Sequence, residues 1–307
     1  MQIIDREVEC ESYSHVTTLF PIGDVHIGAF NCAENHLRAF VNYIKKTPNS
    51  LWVGGGDYCN CITPKDVSRF DARGLADWIL EGDAQTIKET LTDIARQERK
   101  RFEDVVLPIK EKCLGLIEGN HEAELMKRSH NAHHYMMCDE MGTPNLTDCA
   151  FIRLRFRLKK KGTKSSGATV IIFITHGCGG GRSEGAEPNH LAKLAKSFEA
   201  DIVLRGHSHT FDIRPPEIKV YIPRKGTLPD ECMHKEIRKG NWGCWLKSYA
   251  VGPPTYDSQK TYPARPLQAM EIKIKPFCHR KMKVCGREVT RQESLIKMQE
   301  CPYEMDE

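Results

Sequence analysis

Eight residues have the types and the setting to do chemistry together: Asp24 and His26 in "GDVH", Asp57 in "GGGD", Asn120 and His121 in "GNHE", His176 in "THG", and His207 with His209 in "GHSH". Carboxylates, imidazoles and one amide carbonyl make a mixed nitrogen and oxygen donor set, which suits manganese, iron, zinc or a related divalent ion rather than a soft metal bound by thiolates. A glycine stands beside each motif. Lacking a side chain, it lets a sharp turn aim the next residue back at the strand end and lets backbone approach an ion or a phosphate closely. Taken singly, each residue has an ordinary reading: Asp24 and Asp57 as turn or cap residues, Asn120 as a left-handed residue closing a strand, His176 as a packing histidine. Those readings fail for the whole set, because burying these groups together without metal leaves uncompensated charge and unsatisfied polar atoms.

The elements that carry the motifs repeat one theme. "HVTTLFPIGDVHIG" is a strand running into a loop at Gly23, and "SLWVGGGDYCN" does the same at Gly54–Asp57. Between them, "AENHLRAFVNYIKKT" places Leu37, Phe40, Val41 and Ile44 at helical spacing. This strand, helix, strand unit puts motifs at the carboxyl ends of strands, where ligands of open α/β sheets gather. Residues 64–112 are charged and helical in pattern, with "ADWILEGDAQTIKETLTDIARQERKRF" the longest piece, and predict a helical layer on the sheet. "KCLGLIEGNHE" is a third strand ending in a motif. "HEAELMKRSHNAHHYMMCDEMG" is helical, its His130, His133 and His134 reading as surface or packing residues. "CAFIRLRFRLKKKGTKSSGATVIIFITHG" is a β-hairpin with one basic face. "NHLAKLAKSF" and "ADIVLRGHSH" then give a helix and another motif-bearing strand. Past Thr210, strands are expected at 218–222, 246–251 and 267–274. The expected organisation is one domain over 1–285, containing the helical layer 64–112 and a strand-rich elaboration 215–275, followed by a charged peripheral tail over 286–307.

In order and content the five motifs resemble the calcineurin-like metallophosphoesterase superfamily, whose signature runs D-x-H, G-D, G-N-H-[D/E], H and G-H-x-H. The match extends from Asp24 to His209 with no ligand position missing. The resemblance implies an α/β fold, a four-layer α/β/β/α sandwich of two mixed β-sheets flanked by helices. It also implies two divalent metal ions, one held by Asp24, His26, Asp57 and His209, the other by Asp57, Asn120, His176 and His207, with Asp57 bridging. Two ions about 3.5–4 Å apart polarise a phosphoryl oxygen and ionise a water for in-line attack. His121 falls outside the ligand set and acts, by the same resemblance, on the leaving group or the phosphoryl oxygens as acid or electrostatic stabiliser. Manganese is the favoured ion, and iron, zinc and nickel suit the same donors.

Superfamily chemistry leaves the substrate open. The protein serine/threonine phosphatases of this group carry an arginine in G-D-x-x-D-R-G and another just before G-N-H-E. Here "GDYCNCI" supplies Asn60 and Cys61, and Glu118 precedes Gly119. Without arginines to grip a phosphomonoester dianion bidentately, the reading turns to a phosphodiesterase, with DNA or RNA as candidate substrate and a stand-alone phage-type or DNA-repair-like enzyme as the nearest layout. A phosphomonoesterase, whether small-molecule or protein phosphatase, is the alternative, and a non-catalytic scaffold a third reading. Nucleic acid is suggested by Arg153, Arg155, Arg157, Lys159, Lys160, Lys161 and Lys164 on the hairpin and by "YIPRKG" and "HKEIRKGNWGCWLK" with their interleaved aromatics. A solvated basic face accounts for the same residues equally well. The glycine-rich "GCGGGRSEG" offers backbone N–H groups and Arg182 to a phosphate, or is a surface loop. Tyr58 and Asn60, beside Asp57, complete the candidate substrate contacts.

Composition sets the remaining bounds. With 307 residues, 40% hydrophobic and 28% charged, the chain is an ordinary globular protein with room for a large core. A formal charge of +4 from 45 basic and 41 acidic residues is too near balance to argue for nucleic acid. No apolar run reaches the roughly 18 residues of a membrane span, and "MQIIDREVEC" carries charges where a signal peptide needs an apolar core, so a cytoplasmic protein without membrane contact is expected. The 13 cysteines form no CxxC pair and read as reduced, mostly buried thiols. Cys232 with His234, and Cys278 with His279 and Cys285, are irregularly spaced candidates for a structural zinc.

Overall fold

The structure, a computed structural model, describes residues 1–159, 167–178, 186–222, 233–284 and 287–304. In chain order the strands are β1 (Gln2–Cys10), β2 (Thr17–Ile22), β3 (Ser50–Gly54), β4 (Cys113–Leu116), β5 (Cys149–Leu158), β6 (Gly167–Thr175), β7 (Ile202–Arg205), β8 (Phe211–Tyr221), β9 (Met233–Trp242), β10 (Met270–Val284) and β11 (Arg287–Glu300). The helices are α1 (Glu34–Lys46), α2 (Ala84–Thr92), α3 (Ile94–Val106), α4 (Asn120–Ser129), α5 (His133–Met141), α6 (Ala186–Ser197) and α7 (Tyr256–Gln259). No described helix is long and apolar enough to cross a membrane.

Two mixed sheets result. One runs β1-β5-β6-β7-β9-β8 and the other β11-β10-β2-β3-β4. Strand β5 shows why they stack: Ile152, Leu154, Phe156 and Leu158 point inward at period two, with Arg153, Arg155 and Arg157 between them facing out. Those inward residues meet Leu19, Leu51, Val53, Leu114 and Ile272 of the other sheet in one apolar layer. The five-stranded sheet is apolar on its far face too, where Phe20 and Trp52 pack under α1, α3 and α5. The six-stranded sheet buries Phe173, Val203 and Ile237 against Ala195 of α6. The sandwich therefore has four layers, α/β/β/α, and β2 is buried along its length because both its faces are covered, Phe20 and Ile22 on one and Leu19 on the other.

Helix α1 buries Leu37, Phe40, Val41 and Ile44, and it ends at Thr47, whose extended backbone suits the residue before Pro48. Elsewhere the periodic pattern overruns the real boundaries. The long charged segment breaks at Gly82, with φ +110°, where Asp83 caps α2 by accepting from Thr86 N at 2.8 Å, and breaks again between α2 and α3. The helical stretch after "GNHE" divides at His130, whose left-handed backbone ends α4. Residues 246–251 form no strand: Leu246 makes a single bridge to Cys32, ahead of Gly252 and two prolines that stop a ladder. The segment 286–307 is not a peripheral tail over its described residues. It supplies β11, antiparallel to β10, with Ile296 and Cys301 buried and Tyr303 packed 5.4 Å from the Phe40 ring centroid. Charged residues alternating with apolar ones conceal a strand.

Candidate metal centre

Strands β2, β3 and β4 are mutually parallel, as are β6 and β7, and the loops beyond their carboxyl ends converge. The loop after β2 carries Asp24 and His26, that after β3 carries Asp57, and α4 begins with Asn120 and His121 beyond β4. His176 follows β6, and His207 and His209 follow β7. Asp24, His26, Asp57, His207 and His209 all adopt positive φ, between 50° and 69°. A non-glycine residue there costs on the order of 1–3 kcal/mol and persists only where its surroundings enforce it. Glycine is required at Gly119, because an added Cβ would lie 2.1 Å from Asp57 N.

The side chains meet end on. His26 Nε2 is 3.2 Å from His209 Nε2, and His209 Nε2 is 3.5 Å from Asp24 Oδ1. On the other side, Asn120 Oδ1 is 3.0 Å from His176 Nε2 and 2.7 Å from His207 Nδ1. Asp57 lies between: its Oδ2 is 3.2 Å from His176 Nε2 and 3.8 Å from His26 Nε2. Two donor groups that share no residue emerge, Asp24 with His26 and His209, and Asp57 with His176 and His207, and a third, His26 with Asp57 and His121, joins them.

The charges in this cluster are costly as they stand. Burial pushes the Asp24 carboxyl up to about 7 and drives His26 down to about 3, and burial with the charge on His176 lowers His207 to about 4. Burial also works against charge on Asp57 and His176, but their mutual attraction prevails, holding Asp57 well below its usual range and His176 up at about 10. Two fully buried carboxylates thus share one protonated imidazole as their principal counter-charge, while His26 Nδ1 lacks a hydrogen-bond partner among the described residues. A carboxylate, imidazole and amide set in that state fits divalent cations, which supply the missing positive charge.

Two further residues hold the loops in place. Glu122, fully buried, accepts backbone N–H bonds from Tyr58 (2.8 Å), Asp57 (3.0 Å), Cys59 (3.2 Å) and Gly119 (3.2 Å), tying the second motif to the third. Burial, with the neighbouring charge of Asp57, pushes its carboxyl up to about 8 against the pull of those donors. Trp242, at the end of β9, donates from Nε1 to Asp24 Oδ2 at 2.7 Å. Its indole lies so close to Gly23, Gly55 and Gly206 that a Cβ on any of them would come within 2.7 Å of it. In the sequence Trp242 falls among the aromatics that suggest nucleic acid, and its place at the metal centre is not apparent there. The usable signal is three motif glycines that must all clear one large side chain.

A model of the calcineurin-like phosphoesterase family matches residues 19–211. The chain belongs to that family. It is a metal-dependent phosphoesterase with His and Asp groups able to hold divalent metal. Among solved structures, a single-substitution variant of Vps29 from Entamoeba histolytica is similar at 11% identity and TM-score 0.38, covering 92% of this chain and 99% of its own. Vps29 from Cryptosporidium parvum is similar at 12% identity and TM-score 0.34, covering 93% and 98%. An uncharacterised protein from Streptococcus pneumoniae, described as a predicted phosphoesterase, has 16% identity and TM-score 0.30, covering 94% and 99%. No curated protein matches the chain.

The expected substrate contacts of the phosphoesterase fare differently. Tyr58 is fully buried and donates its hydroxyl to Ile117 O at 2.8 Å, so its side chain belongs to the core and not to a substrate. Asn60 stays near the site through its carbonyl oxygen, 2.5 Å from His121 Nδ1. A carbonyl only accepts, so Nδ1 carries the proton and Nε2 is left as the ring's other reactive atom. Arg182 lies outside the described residues, as do Lys160, Lys161, Lys164, Cys232 and Cys285. The basic face of the hairpin is not a free cationic surface, because β1 lies parallel to β5 and sets acids against it. Asp5 pairs with Arg153 and Arg155, Glu7 with Arg157 at 3.1 Å, and Glu9 with Lys159 at 2.7 Å. On β9, Lys235, Arg238 and Lys239 are paired with Asp201, Glu236 and Glu217. His133 and His134 are buried on α5, not on the surface.

Proposed function

We propose that this phosphoesterase cleaves phosphodiesters with two divalent ions, manganese favoured, one held by Asp24, His26, Asp57 and His209 and the other by Asp57, Asn120, His176 and His207. The observation that carries this reading is the position of Asp57 Oδ2 between the two donor groups, 3.2 Å from His176 and 3.8 Å from His26, where a shared carboxylate belongs. Bound there, such ions polarise a phosphoryl oxygen and acidify water at neutral pH. Asn120 contributes an uncharged oxygen, which limits the negative charge collected in the site. His121, with Nδ1 held by the Asn60 carbonyl, directs Nε2 toward the reacting groups and, when protonated, delivers a proton to the leaving oxygen.

Preference for a diester is supported by what stands where the protein phosphatases carry arginines. Cys61 is buried in the core and Glu118 is acidic, so neither offers the fork that a monoester dianion requires. Nucleic acid is one diester among several, since the described arginines and lysines of the hairpin and of β9 that suggest it are matched by acids. The deciding experiment measures manganese-dependent rates in parallel on single-stranded DNA, double-stranded DNA, RNA, a cyclic nucleotide, bis(p-nitrophenyl) phosphate and a phosphomonoester. Faster turnover of the monoester removes the diester reading. Asp57→Asn abolishes turnover on every substrate and lowers bound metal, and full activity in that variant removes the shared-carboxylate assignment.

A further inference from the structure

Beyond the phosphoesterase centre, Cys59, Cys61 and His133 bring two sulfurs and an imidazole nitrogen within 4.8 Å of one another, all three buried. They share no residue with the ligand set proposed above. Cys59 and Cys61 lie in the loop after β3, and His133 is the first residue of α5. His133 is 1% exposed, and neither ring nitrogen has a hydrogen-bond partner among the described residues. A buried polar group left unsatisfied is costly, so an imidazole with both nitrogens idle points to a ligand. Burial drives the ring's pKa down to about 3, which leaves it neutral with a lone pair to give. Cys61 is held at φ 53°, a left-handed conformation rare for a side chain of its kind, by its N–H donating to Glu98 Oε2 at 2.8 Å. The other oxygen of that fully buried carboxylate, Glu98 Oε1, also lacks a partner among the described residues.

Two thiols, one neutral imidazole and a nearby carboxylate differ in kind from the Asp, His and Asn set of the phosphoesterase centre. Thiolate with imidazole selects zinc, and a dication neutralises two buried thiolates outright. We propose that Cys59, Cys61 and His133 bind one zinc ion as a structural site separate from the phosphoesterase centre, with Glu98 fixing Cys61 through its backbone N–H. Binding releases the two thiol protons to solvent, and the ion's charge balances the sulfurs. The site staples the loop after β3 to α5, and through Glu98 to α3. The same loop carries Asp57 two residues before Cys59 and the Asn60 carbonyl that orients His121. The zinc thus braces the loop without touching the substrate.

Cobalt(II) substitution of the full chain tests this independently of turnover. Cobalt bound by thiolate shows a near-ultraviolet charge-transfer band that the Asp, His and Asn set cannot produce. The expected result is that band in the unaltered protein, together with sulfur scattering in the X-ray absorption spectrum of the zinc form. Cys59→Ser with Cys61→Ser then removes the band and one equivalent of zinc, while the metal held by the other centre stays. His133→Gln retains the thiolates and weakens zinc binding at least about tenfold in chelator competition, a free-energy change of about 1.4 kcal/mol. Folded, cobalt-loaded protein without the band overturns the proposal, and that measurement needs no variant. So does a band that survives the double serine change, unaltered zinc affinity in His133→Gln, or a Cys59–Cys61 disulfide in place of bound zinc.

Discussion

Trp242→Phe isolates one hydrogen bond at the metal centre. Trp242 Nε1 donates to Asp24 Oδ2 at 2.7 Å, with Asp24 fully buried and Trp242 3% exposed, so solvent neither screens the bond nor replaces it. A hydrogen bond to a charged group contributes about 1.5–3 kcal/mol. At about 1.4 kcal/mol per tenfold, its loss weakens the ion that Asp24 holds by about 10- to 100-fold, the range found when an outer partner of a metal ligand is removed. The ion that Asp24 does not touch keeps its affinity, so binding measured by chelator competition separates into two phases. The smaller ring also leaves space beside Gly55 and Gly206, so the melting temperature falls as well. Measuring metal-free stability alongside affinity distinguishes the two effects. Unchanged affinity for both ions in a folded Trp242→Phe protein would refute the reasoning that Trp242 positions Asp24 as a ligand.

Glu122→Gln, compared above pH 8 where the carboxyl is ionised, sets an amide against backbone N–H groups that meet a carboxylate, leaving two of four donors without an acceptor at about 1–3 kcal/mol each. Metal-loaded protein therefore loses about 2–6 kcal/mol in denaturant titration, and a loss below about 0.5 kcal/mol contradicts the role given to this carboxylate. His121→Ala keeps its metals and loses about 10²- to 10⁴-fold in rate, less with a p-nitrophenolate leaving group than with an alkoxide. An equal loss on both favours charge stabilisation over proton donation. Arg155→Gln combined with Arg157→Gln leaves hydrolysis of DNA and RNA unchanged at low salt and barely moves the melting temperature, because both ion pairs are exposed. A tenfold or larger fall in polynucleotide hydrolysis would show that this face binds the strand despite its pairing with β1.

Much of the metal centre is legible in the residues themselves, since each motif is local. A strand end, a glycine and a donor residue fall within four consecutive positions, and the donor types alone define the class of ion. Helix α1 is legible for a similar reason, its buried residues falling on one face of a single turn pattern. Tyr58 shows where such locality misleads. It stands next to Asp57 in sequence, but its side chain points to the opposite side of the loop and enters the core. The segment that forms β11 misleads in the other direction: its charges suggest solvent, whereas its alternation satisfies a sheet edge along β10.

The sequence by itself determined the donor set, the family and the kind of reaction, because ligand chemistry depends on residue type and on turns that a few neighbouring residues specify. The tertiary structure alone decided what surrounds that set. Trp242 reaches Asp24 from 218 positions away, β1 places its acids against the arginines of β5 only through the register Asp5↔Arg153, and His133 meets Cys59 and Cys61 only when α5 docks against the loop after β3. Periodicity specifies which face of a strand or helix is buried. It carries no record of which distant face will lie opposite, and charge compensation, support of the ligands and the thiol and imidazole cluster all arise from that pairing.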